Sequence, residues 1–217
     1  MTSFLVDVKA THIIGGELTY VHVQGDEHLV SLRIYRDCGP TNTNGTGFDL
    51  NVEIGVFDAS GNYLFSEFFD YVNAVNVPVQ LNNPCLTAPP SICVESSTYS
   101  DTISLPPIPG GYILAYQRCC RTPSTLNLQA PSTQGLTCTV EVPDLALGNN
   151  STPTFTAYPP IALCANEAMV FDHSATDPDG DVLVYELCPP LAGGAQGNPV
   201  PSPPAGPPYA PVTWGGG

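Results

Sequence analysis

"FDLNVEIGVFD" (residues 48–58) decides the fold class. In an extended chain Phe48, Leu50, Val52, Ile54 and Val56 fall on one face, and Asp49, Asn51 and Glu53 on the other. A period of two marks a strand with one dry face and one wet face. The same pattern runs through "LVSLRIYRD" (29–37), where Val30, Leu32 and Ile34 share a side. "ELTYVHV" (17–23) precedes it across "QGDEH", which predicts a hairpin and sets His22 and His28 close at its mouth. "ASGN" then turns the chain into "YLFSEFFDYV" (63–72), and further strands are expected at 75–81, 92–104, 111–119 and 136–142. No stretch keeps a helical period. The chain is therefore expected to be all-β.

The bulk numbers narrow the function classes. The 217 residues carry 20 acidic and 5 basic side chains, a formal net charge of −15. A nucleic-acid binder works by neutralising phosphates with Lys and Arg, and an anionic membrane surface asks for the same cations, so the charge balance argues against both partners. Hydrophobic residues make up 42% and charged ones 12%, which is the composition of a folded chain. Lys9 is the only lysine, and the arginines come as Arg33/Arg36 and Arg118/Arg121. Among so many acids each is expected in an ion pair.

Eight cysteines (Cys38, Cys85, Cys93, Cys119, Cys120, Cys138, Cys164 and Cys188) lack zinc-site spacing and read as disulfides in an oxidising compartment. Neighbouring Cα atoms across a trans peptide lie about 3.8 Å apart, short of the disulfide range. Cys119 and Cys120 should therefore bond different partners. The expected pairs are Cys85–Cys93, closing a short loop, and Cys164–Cys188, joining two strands of a second unit. Cys38, Cys119, Cys120 and Cys138 share the other two bridges.

Residues 1–10 look like the remnant of a signal peptide, with Val8-Lys9-Ala10 as its cleavage end. The first unit is then a β-sandwich over 11–149. The polar segment 143–160 has the composition of a linker, and a second unit follows over 150–217. Its strands are too few to close a sandwich, so it is expected to be partial. It ends in a tail with nine prolines and seven glycines among residues 189–217.

"HSATDPDGDVLVYELCPP" (173–190) places Asp177, Asp179 and Asp181 on a turn held by Pro178 and Gly180. The glycine and glutamate of an EF-hand are missing from their positions, and "VLVYEL" predicts a strand where an EF-hand has a helix. Two readings remain. Crowded carboxylates repel unless a cation neutralises them, so the three aspartates, with Asp172 or Glu186, could hold Ca2+. Alternatively, Asp-Pro-Asp-Gly is a solvated turn and nothing more.

These residues resemble known proteins. "SATDPDGDVLVYELCPP" resembles the calcium-type loop of bacterial PKD-like and cadherin-like immunoglobulin-type surface repeats. "ATHIIGGELTYVHV", "LRIYRDC" and "YILAYQRCCRTPSTLNL" resemble the N-terminal module of large secreted Bacteroidetes surface proteins, often labelled gliding-motility-associated and exported by the type IX route. The likeness covers roughly residues 11–190. It implies a disulfide-stapled β-sandwich followed by a partial immunoglobulin-like β-sandwich, at the bacterial cell surface. It also implies, as partners, further extracellular repeats of a longer chain, and glycans or surface proteins. The sorting domain of such proteins is not among these 217 residues.

No nucleophile motif accompanies the four histidines, and two of them without a third ligand make a poor metal site. The expected function is thus a non-catalytic, calcium-stabilised adhesion or display module. The alternative is a carbohydrate-binding accessory module of a secreted hydrolase, with Tyr20, Tyr35, Tyr63, Tyr71 and Tyr112 as stacking candidates. Asn44 and Asn150 match the glycan-acceptor pattern.

Overall fold

The computed structural model describes residues 12–40, 47–79, 87, 91–161, 163, 168 and 170–215. Eight strands form two four-stranded antiparallel sheets. The first contains β1 (Ile13–Gln24), β2 (Glu27–Asp37), β5 (Ala74–Asn76) and β6 (Val94–Ser104) in the order β1-β2-β6-β5. The second contains β3 (Asn51–Asp58), β4 (Tyr63–Asp70), β7 (Tyr112–Arg118) and β8 (Leu136–Val142) in the order β4-β3-β7-β8. Their facing sides enclose one core, where the alternating residues meet: Val30, Leu32 and Ile34 from β2, Val52, Ile54 and Val56 from β3, Leu114 and Tyr116 from β7. The all-β sandwich read from periodicity is the one that forms.

The hairpin register follows the sequence pattern. Leu18 opposes Leu32, Tyr20 opposes Val30, and His22 opposes His28. One expected inward residue departs: Leu50 is 83% exposed, because β3 begins at Asn51 and the alternation does not reach back past the bend.

β7 is buried on both faces. Tyr112, Leu114 and Tyr116 point into the core, and so the alternate residues Ala115 and Gln117 point outward, yet they are buried too. Their cover is the Pro/Gly-rich segment. Residues 190–215 run as a strap along the outer side of the second sheet. Thr137 N donates to Leu191 O (3.2 Å) and Thr137 Oγ1 to Ala192 O (2.7 Å), sealing the free edge of β8. Cys119 N donates to Pro199 O (2.9 Å), and Ala205 N to Gln117 Oε1 (2.9 Å). Gln129 N donates to Thr213 O (3.0 Å) near the strap's end. The segment grouped by composition with the second unit therefore packs against the first.

The described part of 150–189 holds only a two-strand ribbon, β9 (Thr154–Phe155) with β10 (Ala175–Thr176). The strand expected at 182–187 does not form. Val182, Val184 and Leu187 are 92, 91 and 103% exposed. Strand propensity is the tendency to fit a pleated, half-buried surface, and no described segment offers this run one.

The cysteines also depart from expectation. Cys93 bonds Cys38, 55 residues away, and not Cys85, which lies outside the described residues. Cys119 and Cys120 bond each other. The expectation assumed trans spacing on a strand, but both lie beyond the end of β7, and the peptide between them is cis with Cα atoms 3.0 Å apart. Cys138 is a buried free thiol inside the sandwich, pushed up to about 12 by burial. Cys188 is an exposed free thiol, and Cys164, its expected partner, lies outside the described residues.

The strap can be tested through its glycines. A Cβ on Gly193 would collide with Thr137 Oγ1 and come within 2.9 Å of Leu136 O, whereas one on Gly197 would meet nothing within 4 Å. Gly193→Ala is expected to lower the stability by about 1–3 kcal/mol in urea unfolding, with Gly197→Ala within about 0.5 kcal/mol of the parent.

Candidate functional site

The acidic turn is built from its own backbone. Asp177 Oδ1 accepts the amides of Asp179 (2.8 Å) and Asp181 (3.2 Å), and Gly180 turns the chain at φ +83°. Asp179 Oδ2 reaches across the junction to accept Ser151 N (2.5 Å). Asp172 Oδ1 accepts Ser174 N (3.0 Å), two residues on.

Ser151 and Thr152 are themselves clamped to β1. Within its sheet that strand pairs only with β2, and beyond the bridge of Ile13 to Arg121 its other side is an open edge, the part of a sheet most in need of cover. Thr152 N donates to Tyr20 O (2.9 Å), Tyr20 N to Thr152 Oγ1 (3.0 Å) and His22 N to Ser151 Oγ (3.2 Å). Asn150 Nδ2 donates to Tyr20 Oη (2.7 Å), so the acceptor-pattern asparagine is engaged in structure. Two side-chain hydroxyls thus stand in for a neighbouring strand, and Asp179 ties the acidic turn to that patch. Burial raises the Tyr20 phenol, and the charges of Asp179 and Asp177 add to it.

Asp177 and Asp179, two of the three loop carboxylates, are therefore occupied by backbone amides, the geometry of the turn reading. Asp181 makes no side-chain hydrogen bond among the described residues. No three His, Cys, Asp or Glu side chains among the described residues converge as a metal-ligand set.

Beside the clamp, His22 and His28 lie with ring centroids 5.3 Å apart, as the hairpin predicted. His28 is buried, its Nδ1 donates to the Asp26 carbonyl (3.0 Å), and its Nε2 has no hydrogen-bond partner among the described residues. Burial holds its pKa below the ordinary histidine value, against the Asp26 hydrogen bond, which favours the protonated ring.

Three of the four arginines found the carboxylates expected of them: Arg33 with Glu17, Arg36 with Glu95, and Arg118 with Asp49. Arg118 is 5% exposed and grips both Asp49 oxygens at 2.8 Å, while its Nη1 donates to Pro199 O of the strap. Arg121 differs. It is buried without a carboxylate partner among the described residues and donates to Gly135 O (3.1 Å) and Leu191 O (3.4 Å), which composition could not foretell.

Of the tyrosines considered for stacking, Tyr20 and Tyr112 are buried and Tyr71 packs against the core. Tyr63 is exposed on β4. Tyr35 lies half-buried on the outer face of the first sheet, where Tyr158 meets it at 6.2 Å between ring centroids. Compared with known protein families, curated proteins and solved structures, the chain matches none.

Two outcomes follow. Asp179→Ala should cost about 1–2 kcal/mol by removing the acceptor of a buried amide, and Asp179→Asn, which keeps an acceptor oxygen, clearly less in the same unfolding measurement. A depressed histidine contributes stability above the unfolded value near 6.5 and loses it as the pH falls through the native value. The unfolding midpoint should therefore drop as the pH falls below about 6.5, and the drop should shrink in His28→Asn.

Proposed function

We propose that the chain is a non-catalytic extracellular module of a bacterial surface protein, serving adhesion or display through one open sheet face. The observation that carries this reading is the unequal cover of the two sheets. The strap lies along the outer side of the second, while among the described residues the outer side of the first presents Thr19, Ser31, Ser100, Glu17, Arg33 and Thr98, with Tyr158 set against Tyr35. A partner thus meets a face whose middle is polar and whose hairpin end adds exposed Val21 and Leu29, on a sandwich stapled by Cys38–Cys93. The disulfide and the sequence resemblance support a location outside the cell. The exposed run Val182–Leu187 supports flanking repeats of a longer chain as partners, since an apolar run of strand composition that is unpaired here needs a neighbouring surface.

Calcium belongs to this proposal as a second state of the acidic turn, in which Asp177, Asp179 and Asp181 re-aim at one cation. Its support is the crowding of three carboxylates within five residues. Asp181→Asn tests it without disturbing the turn, because the Asp181 carboxylate accepts no hydrogen bond among the described residues. A midpoint that rises at millimolar calcium in the parent but not in Asp181→Asn makes the turn a cation cradle. A midpoint indifferent to calcium leaves it a latch.

The adhesion reading is tested with the full chain coupled to beads and flowed over surfaces coated with glycans or with extracellular matrix protein. Retention that falls in Ser100→Arg, a change in the middle of the open face, is the expected result. Retention unaffected by that change, or release of hydrolysis products from the surface, would refute it.

A further inference from the structure

The middle of the open face holds a polar constellation that the sandwich itself does not use up. Glu17 on β1, Arg33 on β2 and Thr98 on β6 oppose one another directly in adjacent strands and so share one side of the sheet. Arg33 Nη1 donates to Glu17 Oε1 (3.1 Å), Arg33 Nε donates to Thr98 Oγ1 (3.3 Å), and Tyr35 Oη donates to the same Glu17 Oε1 (3.1 Å). That arrangement engages one carboxylate oxygen and one edge of the guanidinium. Glu17 Oε2 and Arg33 Nη2 make no hydrogen bond among the described residues. The side chains are 37% and 33% exposed for Arg33 and Glu17, enough to be reached. Burial, with the Glu17 charge, pushes the Tyr35 phenol up to about 12, so it stays a donor and keeps the carboxylate oriented.

Tyr158 completes the arrangement. The Ser151–Thr152 clamp fixes the chain a few residues upstream, and the Tyr158 ring stands 5.9 Å from Arg33 Cζ and at 84° to the Tyr35 ring. An acceptor and a donor therefore lie side by side, already ordered, next to two aromatic rings.

We propose that this constellation is a saccharide subsite for a neutral pyranose. One hydroxyl of a vicinal diol donates to Glu17 Oε2, its neighbour accepts from Arg33 Nη2, and the apolar C–H face of the sugar rests on Tyr158. Three features select this ligand class. The Glu17–Arg33 pair sums to zero charge inside a protein of net charge −15, which repels anionic glycans. β2 is paired on both sides, by β1 and β6, so a peptide finds no free backbone to extend the sheet there. The polar groups are held by their neighbours before any ligand arrives, which lowers the ordering cost of a weak, shallow contact. The subsite rests on the reading of this face as the partner-binding one.

The test is two-dimensional amide NMR of the full chain titrated with cellobiose, maltose, mannobiose and lactose at millimolar concentration, and with sialyllactose as the anionic comparison. At least one neutral disaccharide is expected to shift amides of Glu17, Arg33, Thr98 and Tyr158. Tyr158→Ala should weaken that binding about tenfold, with the unfolding midpoint nearly unchanged. Glu17→Gln should weaken it as well. No response to any neutral sugar, shifts confined to other surfaces, tighter binding of sialyllactose, or full binding by Tyr158→Ala would each overturn the subsite. Beads retained on protein-coated surfaces without any sugar response would refute the subsite alone. Beads retained on no surface, with no sugar response, would refute the open-face reading too.

Discussion

The second sheet depends on having something on its outer side. β7 puts Leu114 and Tyr116 into the core and Ala115 and Gln117 into the strap, so at these positions neither face of the strand meets water. A strand buried on both sides must have cover on both, and here the second cover comes from a segment some eighty residues later in the chain. Arg118 secures the arrangement at one end. Its guanidinium joins Asp49, in the approach to β3, to Pro199 in the strap, so one buried cation fixes three parts of the chain at once. Burying that charge is tolerable only because both carboxylate oxygens and a carbonyl receive its N–H groups.

The same principle of borrowed cover governs the other sheet at a smaller scale. The open edge of β1 is met at Tyr20–His22 by the hydroxyls of Ser151 and Thr152, and the acidic turn is tied to them through Asp179. Among the described residues the strap lies on one sheet, while the other sheet meets only Tyr158 on its outer side. That asymmetry, more than any one residue, gives the functional reading its direction.

What the sequence made legible was whatever depends on neighbours along the chain. Alternation in 29–37 and 48–58 set which residues enter the core, and the turn at 24–28 set the register that places His22 against His28. What it hid depends on partners far away. A run of prolines announces the absence of ordinary strands but not the surface it will lie on, so the strap was grouped with its sequence neighbours. "VLVYEL" has the composition of a strand and stays unpaired, because pairing is a property of two segments. The cysteines misled for a related reason: Cys38 and Cys93 meet through the fold of the first sheet's ends, which spacing cannot show, and the Cys119–Cys120 bond uses a backbone geometry that a strand reading excludes. Of the site, the carboxylate triplet was visible. The Glu17–Arg33–Tyr158 constellation was not, since its members are brought together by register and by a linker tyrosine.

The strap also bears on how such a chain can be recombined. Composition suggests a seam near residue 149, yet the chain beyond that seam returns to shield Ala115 and Gln117 and to seal the edge of β8. A gene-shuffling event that joined residues 12–149 to an unrelated neighbour would deliver a sandwich with one apolar flank laid bare. The proline-rich run thus tethers the two sides of that seam, and a recombination point that keeps the sandwich shielded lies beyond it.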